Sequence, residues 1–232
     1  GRRDERGRWE DRRGPREGHP DRGHTHPDKV ARQTRQAADP PLSPEITPDM
    51  LDGFARRSLR PLNKHNADLI ARHLVAAGLA LDEDPELAHQ HALAAQRRAG
   101  RIDVVREAVA TTAYLTGRYT EALREARTVR RLTGEDTLRV IEADSERGLG
   151  RPDRALVVIS EVDMARQPAA IRAELAMVAS GARADLGEFE AGLLVIEDAL
   201  AIIQDPGLRA RLLSVRADRL DDLGRPEEAE KA

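Results

Sequence analysis

The sequence predicts an all-α protein, a solenoid of antiparallel helical hairpins, and three observations carry that reading. One phrase returns four times: Gly117-Arg118-Tyr119-Thr120-Glu121-Ala122-Leu123, Gly150-Arg151-Pro152-Asp153-Arg154-Ala155-Leu156, Gly187-Glu188-Phe189-Glu190-Ala191-Gly192-Leu193 and Gly224-Arg225-Pro226-Glu227-Glu228-Ala229-Glu230. Its leading glycines are 33, 37 and 37 residues apart, and a repeat of about 34 residues is the mark of stacked helical hairpins. Small residues recur at two fixed offsets: Ala110, Ala143, Ser180 and Ala217 seven before each glycine, and Ala122, Ala155, Gly192 and Ala229 five after it. Hydrophobic residues make up 40% of the chain but aromatic ones only 2%, so Leu, Ala, Val and Ile must fill the core, which suits slender helix-on-helix packing. No alternating apolar run marks a strand.

Taken in order, residues 1–44 are a low-complexity tail of Arg, Asp, Gly, Pro and His, with Trp9 its one large apolar side chain. Too little apolar surface is available there to offset the roughly 1–2 kcal/mol per residue that ordering the backbone costs, which predicts disorder. The helical domain is expected over 45–232. Thr47-Pro48 is a helix start, because Pro is tolerated where the N–H has no partner. Leu51, Phe54, Ala55 and Leu59 then recur at helical spacing as far as Pro61. Further helices are expected from Lys64 to Ala77, punctuated by Gly78, and from Pro85 to Ala99, closed by Gly100 as a residue free to take positive φ.

From there each recurrent glycine is read as the turn inside one hairpin. The first helices are expected over 102–115, 137–149, 169–186 and 208–223. The second helices are expected over 119–132, 152–162, 189–203 and from Pro226 onward. Pro152 and Pro226 take the place held by Tyr119 and Phe189 in the other repeats, the first turn of the second helix. The small residues have a physical reason too: paired helices that cross closely leave no room for bulk, and Leu123, Leu156 and Leu193 fill the space alongside. Gly117, Ala122, Gly150, Ala155, Gly187, Gly192, Gly224 and Ala229 are thus the expected packing and turn positions.

Composition narrows the function classes. The length of 232 residues allows one or two domains. Without cysteine there is no disulfide, thiolate metal site or cysteine nucleophile, which agrees with a reducing cytoplasm. No stretch approaches the roughly 18–20 apolar residues needed to span a bilayer, so no membrane association is expected. The first 35 residues hold eleven Lys/Arg against seven Asp/Glu, so a mildly basic tail precedes an acidic body in a chain of net charge −3.

The glycine turn, the Tyr, Pro or Phe two residues on, and the small residue in each helix resemble the tetratricopeptide repeat. The resemblance covers residues 102–232, with a degenerate hairpin at Asn66 to Ala99. The whole chain also looks like actinobacterial proteins that pair an Arg/Asp/Gly-rich tail with such repeats, a likeness that implies no activity. The family resemblance implies a right-handed solenoid. It departs from the family pattern in two respects: the large aromatic early in the first helix is replaced by Arg106, Arg139, Ala176 and Leu213, and Glu142 and Arg216 fall where the pattern calls for an apolar residue.

Arrays of this family bind partner segments on their first helices, in a concave groove. Carrying the groove offsets over implies Glu107, Thr111 and Tyr114; Thr137, Val140, Asp144 and Arg147; Glu174, Met177 and Ala184; and Arg211, Ser214, Asp218 and Asp221. Tyr114 would either anchor a partner or pack on the next hairpin. Asp144, Asp218 and Asp221 would either pair with a basic peptide or form a solvated face. The Lys, Arg and Asn set of the family's carboxylate clamp is missing. The expectation is a protein-binding scaffold or adaptor. The alternative is an RNA- or ribosome-associated protein with a weak RNA contact through residues 1–35, or through Arg56, Arg57, Arg60 and Lys64. No metal site is expected: His19, His24 and His26 fall in the tail, and His89 and His91 lie roughly 200° apart around a helix. No phosphate loop, nucleophile elbow or zinc-protease motif occurs, so no enzyme activity, cofactor or small-molecule substrate is expected.

Overall fold

The computed structural model describes residues 39–230. The expected RNA contact through 1–35, Trp9 and the three tail histidines lie outside the described residues. Among the described residues there are eleven α-helices and no strand. In chain order they are α1 (Gly53–Ser58), α2 (Lys64–Ala80), α3 (Pro85–Ala99), α4 (Asp103–Leu115), α5 (Tyr119–Thr133), α6 (Arg139–Gly148), α7 (Pro152–Ser160), α8 (Ala169–Asp185), α9 (Phe189–Ile202), α10 (Pro206–Asp222) and α11 (Pro226–Ala229). Consecutive helices from α2 onward pack in pairs, and each pair packs on the next.

The hairpin turns follow from one local device used four times. Gly117, Gly150, Gly187 and Gly224 have φ of 72°, 73°, 77° and 69°. In the first, Arg118 N–H donates to Ala113 O at 2.8 Å and Gly117 N–H to Tyr114 O at 3.0 Å. The other three close with the same pair of bonds, from Arg151 and Gly150, Glu188 and Gly187, and Arg225 and Gly224. This αL closure satisfies carbonyls that the helix end leaves open. A side chain at Gly150 would meet no atom within 4 Å; what excludes it is the left-handed backbone, which costs an L-residue about 1–2 kcal/mol.

The helices before the first recurrent glycine differ from the expectation at three points. The stretch from Pro48 to Pro61 is not one helix: a 3-10 turn over Pro48–Met50 is followed by α1, because Asp52 accepts from the amides of Phe54 at 2.8 Å and Ala55 at 3.0 Å and restarts the helix. Gly100 has φ of −63°, not a positive φ. Its lack of a side chain serves close approach instead, since a Cβ there would lie 2.9 Å from Gln96 O. α2 also runs through Gly78 to Ala80. The end of the low-complexity segment, residues 39–44, lies against the helices: Asp39 pairs with Arg97 and Arg98, Pro40 is buried, and Arg72 donates to Ser43 O at 3.0 Å.

The core is made of small residues at the helix crossings. Ala110, Ala122, Ala143, Ala155 and Ser180 are fully buried, and Gly192 is buried against Ser180 O, where a Cβ would sit at 3.0 Å. Ala217 and Ala229 are half-buried, because α11 is only one turn long and covers little of α10.

The middle hairpins also carry a network of buried charge. Arg106, at the offset where the family carries an aromatic, donates to the buried Glu125 at 2.5 Å. Arg139, at the same offset one repeat on, reaches Glu142 at 3.3 Å and Glu161 at 2.8 Å. Glu142 also accepts from Arg127 and Arg130, and the fully buried Glu146 from Arg127 and Arg151. A buried carboxylate is tolerable only when its lone pairs are met in this way. Arg106 thus forms an ion pair between the two helices of its hairpin.

Candidate partner-binding site

The first helices α4, α6 and α8 bring Tyr114, Asp144, Arg147 and Asp185 into one chain of contacts. Tyr114 Oη donates to Asp144 Oδ2 at 2.5 Å, Arg147 Nη1 donates to Asp144 Oδ1 at 3.2 Å, and Arg147 Nε donates to Asp185 Oδ2 at 2.6 Å. Three hairpins are thereby tied along one face. Burial, reinforced by the Asp144 hydrogen bond, pushes the Tyr114 hydroxyl well above its ordinary pKa, so it remains a donor. Burial works against the charge of Arg147, but the Asp185 and Asp144 carboxylates outweigh it and raise its pKa.

Two glycines make this geometry available. Gly181 of α8 lies beneath the Arg147 guanidinium, where a Cβ would fall 2.7 Å from Cζ. Gly148, at the end of α6, lies against the Tyr119 ring, where a Cβ would fall 2.6 Å from Cε2. A mid-helix glycine costs about 1 kcal/mol relative to Ala, so Gly181, away from any turn, was a legible sign of close approach that the repeat pattern alone passed over.

A cleft of about 550 Å³ opens here, lined by Tyr119, Asp144, Arg147, Gly148, Gly150, Pro152 and Asp185. Its charged lining is two carboxylates and one guanidinium. It also lies at the C-terminal ends of α6 and α8, whose carbonyl ends carry partial negative charge. Tyr119 and Pro152, on the same lining, begin α5 and α7, whose N-terminal ends carry partial positive charge, so the helix ends offset one another and the charged side chains leave one net negative charge.

The other residues assigned to this face scatter. Val140 packs against the apolar cluster of Ala143, Val158 and Val178, and Met177 against that of Ala173, Ile196 and Leu212. Both belong to the core side. Glu174 is paired with Arg211 across α8 and α10. Ser214, Asp218 and Asp221 are exposed on α10, and Thr137 lines a separate cleft among the inter-hairpin loops. Glu107 and Thr111 are half-buried and open onto a different cleft beside α1. Sequence reasoning passed over Tyr119, Gly148, Pro152 and Asp185 as site residues.

It also passed over a buried histidine cluster. His73 Nδ1 and His91 Nδ1 are 3.0 Å apart, so one ring donates and the other accepts. His89 Nδ1 lies 3.0 Å from Thr112 Oγ1, and its Nε2 lies 3.4 Å from Glu121. Burial, and then the neighbouring His91, hold His73 down to about 4, and burial lowers His89 and His91 as well. No group of three or more metal-ligating side chains occurs among the described residues. No helix among them is long and apolar enough to cross a membrane.

No protein-family model matches the chain, and no curated protein matches it. What the fold and site define is a protein of consecutive helical hairpins with a polar cleft on its first helices.

Proposed function

We propose that the chain is a tetratricopeptide-like scaffold whose first-helix face binds a basic segment of a partner protein. The observation that carries this is the cleft at the ends of two neighbouring hairpins in which Asp144 and Asp185 share the single guanidinium of Arg147, leaving one net negative charge. The contact pattern supports the solenoid part of the reading. α2, α4, α6 and α8 each touch the next first helix as well as their own partner, whereas α5, α7 and α9 make no comparable contact with one another. A stack whose first helices approach more closely than its second helices curves toward the first helices, and in the proposed solenoid that inner side carries the cleft.

Selection of random peptides against the full chain tests this. Ligands rich in Lys or Arg should be enriched, and a photo-crosslinker at Tyr119 should label them. Asp144→Ala with Asp185→Ala should weaken the selected peptides about tenfold, two partly exposed ion pairs of roughly 0.7 kcal/mol each. Circular dichroism would confirm that the variant retains its helices. Peptides without basic enrichment, or with affinity unchanged in the double variant, would overturn the proposal.

A further inference from the structure

The geometry points to a second binding site, for an alkyl-stemmed cation such as a lysine or arginine side chain, in the cleft between α1, α2 and α4. This cleft has a volume of about 300 Å³, the lower end of the range for sites that enclose a small group. Leu51 and Phe54 form one wall, Leu74 and Leu81 another, and Val104 and Ala108 the third. The two charged residues lining it, Asp52 and Glu107, are both acidic.

Glu107 is what makes this more than an apolar groove. Its side chain is half-buried and has no hydrogen bond or ion pair among the described residues, and neither does the hydroxyl of Thr111. The two lie four residues apart on α4 and so share one face of the helix. Most other carboxylates on the neighbouring first helices are already paired: Asp144 with Tyr114 and Arg147, Asp185 with Arg147, Glu174 with Arg211. Burial, with the Asp103 carboxylate adding to it, raises the Glu107 pKa, as happens when a carboxylate loses water and gains no counter-charge. An ammonium or guanidinium supplies that counter-charge. An alkyl stem matches the Leu and Val walls, and a carboxylate-bearing ligand is repelled. Phe54, exposed at the rim with Arg57 stacked 5.8 Å from its ring centre, covers the stem.

The occupant is thus a Lys or Arg side chain of a partner segment. This extends the reading of the first-helix face as a partner surface to a site that α1, which precedes the repeats, helps to build. The test uses the isotope-labelled full chain and two probes, N-acetyl-lysine methylamide and N-acetyl-norleucine methylamide, which share the stem and differ in charge. In titrations followed by NMR, the lysine probe should shift the amides of Leu74, Gly78 and Thr111 to saturation, at least fivefold more tightly than the norleucine probe. Glu107→Gln should abolish that preference while leaving the norleucine response in place. Equal response to both probes, no response at either, or an undiminished preference in Glu107→Gln overturns the proposal. The Asp144, Asp185 double variant should bind the lysine probe like the natural chain. Failure at Glu107 with peptide binding retained at Asp144 would therefore sink this site alone.

Discussion

Removing the carboxylate of Glu142 should destabilise the protein by about 3 kcal/mol, and the structure shows why the figure is not smaller. The Glu142 side chain is 3% exposed and accepts from Arg127 Nε at 3.1 Å, Arg130 Nη2 at 3.3 Å and Arg139 Nη1 at 3.3 Å. In Glu142→Ala, Arg127 keeps Glu146 at 2.7 Å, and water can reach both Arg127 and Arg130, whose side chains are 38% exposed. Arg139 is the decisive group. It is 4% exposed, keeps Glu161 at 2.8 Å, and loses a bond that water cannot replace. Breaking a buried pair from one side costs about 3–5 kcal/mol, and the surviving partners put this case at the low end. For a domain of this size the loss corresponds to a fall in Tm of about 6–12 °C, at roughly 2–4 °C per kcal/mol. Urea and thermal unfolding followed by circular dichroism measure it. Glu188→Ala, which removes a surface pair with Arg183, serves as control and should change stability by less than about 1 kcal/mol. Replacing both Arg139 and Glu142 by Leu should cost less than the sum of the single changes, because no unpaired buried charge remains. A Glu142→Ala variant within about 1 kcal/mol of the natural chain, or strict additivity in the double variant, would refute the claim that this network holds the middle hairpins.

Two further predictions concern the crossings and the histidines. Ala155 is fully buried where α7 crosses α6, so Ala155→Trp should cost about 1–3 kcal/mol by overpacking, while Arg154→Trp on the exposed side should be nearly neutral; equal urea midpoints would contradict the assigned register. Because the folded state depresses the pKa of His73 to about 4 and lowers those of His89 and His91, the unfolded chain binds more protons below its ordinary value of about 6.5. Stability should therefore be full above that pH and fall as pH drops toward 4, with His73 contributing up to about 3 kcal/mol of the loss. Asp39, which burial pushes up but Arg97 and Arg98 hold down to about 2, keeps its ion pairs throughout that window. His73→Phe with His91→Phe should flatten the pH dependence of the urea midpoint between pH 4 and 6.5, and an unaltered slope would assign it elsewhere.

The helical hairpins were legible in the chain because their signals are local. A glycine that must take positive φ, a Pro at a first helical position and a small residue at a crossing each act within one or two turns, and their recurrence placed every hairpin turn from Gly117 onward. The sequence by itself determined that this is an all-helical chain of paired helices. Where local signals conflicted, as at Asp52 and Gly100, a capping side chain and a nearby carbonyl decided the outcome. Only the tertiary structure decided which charges are structural and which remain open. Tyr114 meets Asp144 across 30 residues and Arg147 meets Asp185 across 38, whereas Glu107 and Thr111 have no hydrogen-bond or ion-pair partner among the described residues. Those fates depend on how far one hairpin is offset from the next. That offset is set by contacts between helices distant in sequence, here by glycines such as Gly181 and by buried carboxylates such as Glu142, whose roles appear only when the helices meet.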